Sequence, residues 1–113
     1  MSISKDLIAA SATPLILSIL SEGENYGYAI IKRVRQLSEG QIQWTDGMLY
    51  PVLHRLEKQK LVESQKRPSE QGRMRKYYRI KQEGKKALQV HKQQWLTVFG
   101  ALKQVWEIKT CLT

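Results

Sequence analysis

A mainly α-helical fold with a small β-wing and one long C-terminal helix is what this sequence predicts, on three observations. Residues 45–62, TDGMLYPVLHRLEKQKLV, read as an amphipathic helix running into a strand. A basic hairpin follows at once, with LVESQKR and RMRKYYRI as strands around the turn PSEQG. From residue 82 onward the chain carries a helical apolar pattern longer than a small domain can cover. Helix, strand, basic loop, strand is the order of a winged helix-turn-helix.

Taken from the start, residues 5–10 predict a short amphipathic helix. Thr13-Pro14 then reads as an N-cap followed by proline at the first helical position, where the missing N–H costs nothing, and opens a second helix to about Ser21. Its core face is Leu15, Ile16, Ile19 and Leu20, and Glu22-Gly23-Glu24 ends it. Asn25 is the expected cap of a third helix through about Ser38. There Tyr28, Ile31, Val34 and Leu37 face inward, Lys32, Arg33 and Arg35 face solvent or phosphate, and Gly40 takes the C′ position. The short alternating stretch 41–44 is the expected third strand of the wing sheet.

The next helix begins at Thr45, whose hydroxyl can accept from a first-turn amide, with Asp46 at the positive end of the helix dipole. Leu49, Val52, Leu53 and Leu56 recur at intervals of three and four and form the buried face, leaving Met48, Tyr50, His54, Arg55 and Lys58 outside. Pro51 falls just past the first turn and removes the amide partner of the Gly47 carbonyl, which predicts a kink or a late start. Lys60 stands at the junction into the first hairpin strand, where a left-handed residue is needed and glycine is usual, so it bears strain. The last helix, from about 82 to 108, would extend about 40 Å. Leu88, Trp95, Phe99, Leu102 and Trp106 follow a seven-residue repeat, widened by Leu96, Val98, Val105 and Ile108. A stripe that wide implies a partner, and the first choice is a second copy of the chain. The chain therefore divides into residues 1–81, the winged helix-turn-helix, and 82–113, a dimerisation helix.

A chain of 113 residues forms one domain with a modest core, and association would relieve that limit. The formal charge is +9, from 19 Lys and Arg against 10 Asp and Glu, and residues 55–86 hold 12 of the cations against four acids. Charge gathered in about a quarter of the chain is the footprint of a polyanion, because each cation seated on a phosphate releases a counterion. A face that merely keeps the protein soluble is the bland alternative. Cys111 is the single cysteine, so neither an intrachain disulfide nor a thiolate cluster is open to the chain. The longest apolar run, 14–20, is too short to span a bilayer, and no leader pattern precedes it, so a cytoplasmic protein without a membrane partner is expected.

Tyr26-Gly27-Tyr28, Gly47-Met48-Leu49-Tyr50-Pro51 with Leu53, Arg55-Leu56-Glu57-Lys58, Leu61-Val62, Gly72-Arg73, Arg75-Lys76-Tyr77-Tyr78-Arg79-Ile80 and Glu83-Gly84 resemble the PadR family of bacterial transcriptional regulators across about residues 13–88. The single terminal helix resembles the short subgroup. Lys60 replaces the family's usual glycine, and Lys81 stands where a threonine commonly caps the last helix. The resemblance implies a homodimeric repressor on a palindromic double-stranded DNA operator, with the recognition helix in the major groove and the wing tip on the backbone or in the minor groove. It also implies, as in some multidrug-binding members, a planar hydrophobic or phenolic ligand stacked at the dimer centre. The matching position is Trp95, with Val98 and Phe99 beside it.

Within that frame Thr45, Asp46, Met48, Tyr50 and His54 are candidates for base edges and nearby phosphates, since the N-terminal half of a recognition helix enters the groove. Tyr50 has a second reading, packed against the wing with its hydroxyl exposed. Arg73, Arg75 and Lys76 should meet phosphates, Arg73 being the best minor-groove candidate. Lys58 and Lys66 are phosphate contacts or solvated charge, and Tyr26 and Lys32 would fix the preceding helix on the backbone. Trp95 is interface core or ligand platform. His54 and His91 are isolated, so no metal is expected. With no nucleophile elbow, metal-ligand spacing or glycine-rich phosphate loop, neither an enzyme nor a cofactor is expected. A competing reading is an accessory module that holds nucleic acid without sequence preference and recruits another protein through its last helix.

Overall fold

The computed structural model describes residues 3–112, and side chains through residue 107; Ile108 and Cys111 therefore lie outside the described side chains. The order is α1 (Lys5–Ser21), β1 (Asn25–Tyr26), α2 (Gly27–Leu37), α3 (Asp46–Lys58), β2 (Val62–Pro68), β3 (Met74–Ile80) and α4 (Gln82–Leu112). Four helices and a three-stranded antiparallel sheet of order β1-β3-β2 make the winged helix-turn-helix that the sequence predicts.

The N-terminal region departs from expectation. One helix replaces the two expected between residues 5 and 21, and Ser4, not Thr13, caps it, accepting from the Leu7 amide at 3.2 Å. Pro14 is tolerated inside because the bond it removes belongs to the carbonyl of Ala10, a solvent-exposed residue, while buried Ala12, Ile16, Leu17, Ile19 and Leu20 continue the apolar face. The Thr13 hydroxyl instead accepts a 2.8 Å bond from Arg55 Nη2 and ties α1 to α3.

Asn25 likewise does not cap a helix. It pairs with Tyr78 as the short β1, beside Tyr26 on Tyr77, and this segment supplies the third strand that residues 41–44 were expected to form. Helix α2 starts without a side-chain cap, and its inward face is Ile30, Ile31 and Val34. Tyr28 and Leu37 are exposed, contrary to expectation, because the inward face is centred one residue away from them. At its end Glu39 takes the C′ position with φ 52°, and Gly40 follows with φ 83°, its amide bonded to the Arg35 carbonyl at 2.8 Å.

Helix α3 runs unbroken through Pro51, with Thr45 Oγ1 accepting from the Met48 amide at 3.3 Å. Trp44, one residue before the cap, and Leu49 are both buried, the pairing that fixes the angle at which a chain enters a helix. The Trp44 Nε1–H is buried without a hydrogen-bond acceptor among the described residues, an arrangement that costs about 1–3 kcal/mol when left unmet. At the other end Lys60 adopts φ 62°, with the Leu61 amide on the Leu56 carbonyl and the Lys60 amide on Glu57, each at 3.0 Å. The left-handed junction is thus built with a side chain on it.

The hairpin pairs Val62 with Ile80 through Pro68 with Met74. Its tip is closed by the Ser69 amide on the Arg73 carbonyl and by the Gly72 amide on the Ser69 carbonyl, with Gly72 at φ 81°. The start of α4 presses on the Lys60 junction: a Cβ on Gly84 would fall 2.2 Å from the Leu61 carbonyl oxygen, so only glycine fits. Leu88 joins the buried core, so the first two turns of α4 belong to the winged body. The rest extends outward, and the protein measures 60 × 30 × 21 Å. Among the described residues no helix is long and apolar enough to cross a membrane.

Candidate nucleic-acid interface

Tyr26, Tyr28, Tyr50, Arg73, Arg75 and Lys76 line one groove of about 350 Å³ between the start of α2, the outer face of α3 and the wing. Helix α3 places Tyr50 there because Leu49 and Leu53 are held in the core and Tyr50, next to the first and three residues before the second, emerges on the flank of that buried face. The Tyr50 ring lies across α2 so closely that a Cβ on Gly27 would come 2.3 Å from its hydroxyl. This is tighter packing than either reading of Tyr50 anticipated, and it is made against α2 while leaving the ring 43% exposed. Gly27 was not expected to matter. A glycine opening a helix that lacks a capping side chain was the available signal.

The outer sheet face is a ladder of rings and cations. Arg75 lies 4.2 Å above the Tyr26 ring, Tyr26 meets Tyr77 edge to face at 5.7 Å, and Arg67 lies 4.1 Å above Tyr77. Each such contact is worth about 0.5–1 kcal/mol at a surface. Tyr26 therefore holds β1 to the hairpin, and the Arg75 guanidinium already lies over its ring. Lys32 lies over the Tyr28 ring at 5.5 Å.

Several cations are matched by acids. Arg67 pairs with Glu24 and Arg79 with Glu63, and Lys76 Nζ lies 3.7 Å from Glu57, whose other oxygen accepts from Ser64 Oγ at 2.5 Å. Arg79 holds the Glu63 carboxyl below its ordinary range through their hydrogen bond, and Arg33 does the same to Glu22 at 2.7 Å. Burial, then the nearby Glu57 and Tyr50, pushes the Tyr78 phenol up to about 12. Among the described residues Lys58, Lys66, Arg73 and Arg75 have no ion pair; the first three are exposed along α3 and the wing, and Arg75 is half-buried over Tyr26. Thr45, Asp46, Met48 and His54 are exposed on the first turns of α3 and its outer side, with the Thr45 hydroxyl turned onto its own helix.

The terminal helix carries the second candidate surface. Trp95, Leu96, Val98, Phe99, Leu102, Val105 and Trp106 are all exposed, whereas Leu88, expected on the same surface, is covered by its own protomer. Trp95 lines an apolar groove of about 410 Å³ between α1 and α4, together with Leu15, Ile42, Leu88 and His91. Val98 and Trp95 share a shallower hollow one turn on, and Phe99 lines neither. No three His, Cys, Asp or Glu side chains among the described residues gather where they could hold a metal.

A recognition-type helix flanked by a cationic wing defines a winged helix-turn-helix transcriptional regulator. Residues 16–90 match the Transcriptional regulator PadR-like family, and the chain belongs to that family. A transcriptional regulator from Clostridium thermocellum superposes with a TM-score of 0.81 at 32% identity, over 90% of this chain and 96% of that one. A PadR-like transcriptional regulator from Bacillus cereus gives 0.79 at 30% identity, over 89% and 96%. Among curated sequences, an uncharacterised protein X of Lysinibacillus sphaericus is 32% identical over 93 residues, 82% of this chain and 85% of its own length. The Escherichia coli transcriptional regulator YqjI is 38% identical over 48 residues, 42% of this chain and 23% of that protein.

Proposed function

We propose that the chain is a homodimeric transcriptional repressor that binds a palindromic operator. The observation that carries this reading is the convergence on one groove of Tyr50 from α3, Tyr26 and Tyr28 from the start of α2, and Arg73, Arg75 and Lys76 from the wing. Asp46, Met48 and His54 on α3 read base edges. Arg73 enters the minor groove beside it, and Lys58, Lys66 and Arg75 neutralise phosphates. Lys32 sits on the backbone from α2, and Tyr26 acts by holding the wing at its angle. Residues 82–113 form the arm that pairs with its twin through Trp95, Phe99, Leu102 and Trp106, and two-fold pairing makes the operator palindromic.

Trp95 gives the dimer its ligand platform. It lines an open apolar groove, and a second α4 laid across it would enclose a flat hydrophobic or phenolic compound whose binding releases the operator. Selection from random duplexes, read with fluorescence anisotropy, tests the reading. A two-fold symmetric consensus bound at a ratio of two chains per duplex is expected. Enrichment of no palindrome, with equal affinity for all duplexes, would replace it with the non-specific accessory module.

A further inference from the structure

Among the described residues, one carboxylate makes the side-chain polar links between α3 and the hairpin. Glu57 Oε2 accepts from Ser64 Oγ on β2 at 2.5 Å, and Glu57 Oε1 lies 3.7 Å from Lys76 Nζ on β3. The register sets Val62 opposite Ile80, Ser64 opposite Tyr78 and Lys66 opposite Lys76. Residues two apart on a strand, like residues directly opposite, share a face of the sheet. Because Val62, Tyr78 and Ile80 are buried, Ser64, Lys66 and Lys76 lie on the face turned to the helices. Tyr50 stands seven residues before Glu57, two turns back on the same flank of α3, and shares its groove with Lys76 and Arg73. Arg73 lies three residues beyond Lys76 towards the tip, about 10 Å further out, so a small swing at the root of the wing is enlarged there.

We propose that Glu57 is a positioning residue for DNA reading: its bond to Ser64 fixes the angle of the wing against α3, and its charge holds Lys76 in competition with phosphate. The two parts have different consequences. A hydroxyl on an ionised carboxylate is one of the stronger hydrogen bonds. Without it the wing would swing about its buried root and still find phosphates on any duplex, but out of step with the base-reading side chains of α3. The tether therefore favours the operator over random sequence. The Lys76 and Glu57 side chains are 42% and 33% exposed, so their ion pair can open to solvent, and such a pair shifts an equilibrium by about twofold to fivefold. A phosphate must displace Glu57 to take Lys76, and the charge weakens binding to every duplex alike. The role in reading rests on the function proposed above, whereas the tether itself does not.

The test compares variants of the full chain on a selected operator and on a random duplex of equal length. Ser64→Ala removes the hydrogen bond and keeps the charge; it is expected to lower operator affinity at least about threefold and leave random affinity within about twofold. Ser64→Thr, which keeps the hydroxyl, should retain the parental ratio, and Ser64→Val serves if Ser64→Ala does not fold. Glu57→Gln, whose amide oxygen still accepts from Ser64, is expected to raise both affinities about twofold to fivefold. The salt slope is the readout that packing alone would not move: Lys76→Ala should lower it by about 0.9 in the Glu57→Gln background and by less in the parent. Equal decrements in the two backgrounds overturn the competition for Lys76. A parental ratio of operator to random affinity in Ser64→Ala overturns the positioning. Without DNA, the backbone amides of residues 64–76 should exchange hydrogen faster in Ser64→Ala than in the parent, and parental exchange rates overturn the tether. A parent that binds no duplex would sink the repressor reading and the role in DNA reading together, and the exchange rates would then decide the tether by themselves.

Discussion

Three residues carry consequences out of proportion to their size. Lys60 holds φ 62°, a conformation that disfavours any side chain by about 1–2 kcal/mol. Lys60→Gly should therefore raise stability by roughly 1 kcal/mol after the extra freedom it gives the unfolded chain, a rise of about 4–8 °C in Tm by calorimetry, while Lys60→Ala should leave Tm nearly unchanged. Gly84 is the converse. Its α-carbon faces the Leu61 carbonyl so closely that Gly84→Ala must push the helix off the junction, and a loss of at least about 2 kcal/mol in urea unfolding is expected. Tyr78 binds its proton more tightly when folded, so the folded state holds that proton over a pH range in which the unfolded chain has lost it. Stability should be level below about pH 10 and fall by roughly 2–3 kcal/mol as pH rises towards 12, and Tyr78→Phe should remove that decline from alkaline denaturation curves.

At the scale of elements, what sequence could reveal followed the reach of its signals. The apolar spacing of α3 and α4, the Thr45 cap and the basic hairpin are local patterns, and all are found where those patterns put them. The join at Thr13-Pro14 misled because proline at the start of a helix and proline in a tolerated interior position look alike until α3 supplies Arg55. β1 was unreadable for a related reason. Two residues have no periodicity of their own, and Asn25 and Tyr26 become a strand only through Tyr77 and Tyr78, about fifty positions later. The candidate site was legible in its residue types and less so in their duties. Arg75 and Tyr26 are committed to one another, and Lys76 leans towards Glu57. In operator binding, Arg73→Ala should lower the slope of log K against log salt by about 1, and Lys76→Ala by less, because its charge is partly answered within the chain. His54→Ala should leave that slope alone and narrow the ratio of operator to random affinity.

For the whole molecule, a small winged body carries an arm about as long again as the body is wide, and Val98, Phe99, Leu102 and Val105 along the arm's outer half are exposed. A patch of that size in water is the strongest reason to expect a dimer. Phe99→Asp with Leu102→Asp should give a monomer by sedimentation that keeps its far-ultraviolet spectrum and thermal transition, since neither side chain belongs to the core. That monomer should bind single half-sites weakly and lose the affinity gained by spanning both, a factor of 10² or more.

The same bare stripe raises a question of fidelity for any cell that makes several regulators of this build. Leucines, valines and tryptophans stick to any comparable seam, so they cannot by themselves tell a twin from a cousin. Discrimination has to come from the polar margin, where Gln94 and the Lys103–Glu107 pair, 3.7 Å apart, stand beside the hydrophobic track. Swapping those two charges would leave self-pairing intact, since both copies change together, and would redirect which siblings the arm accepts as mates.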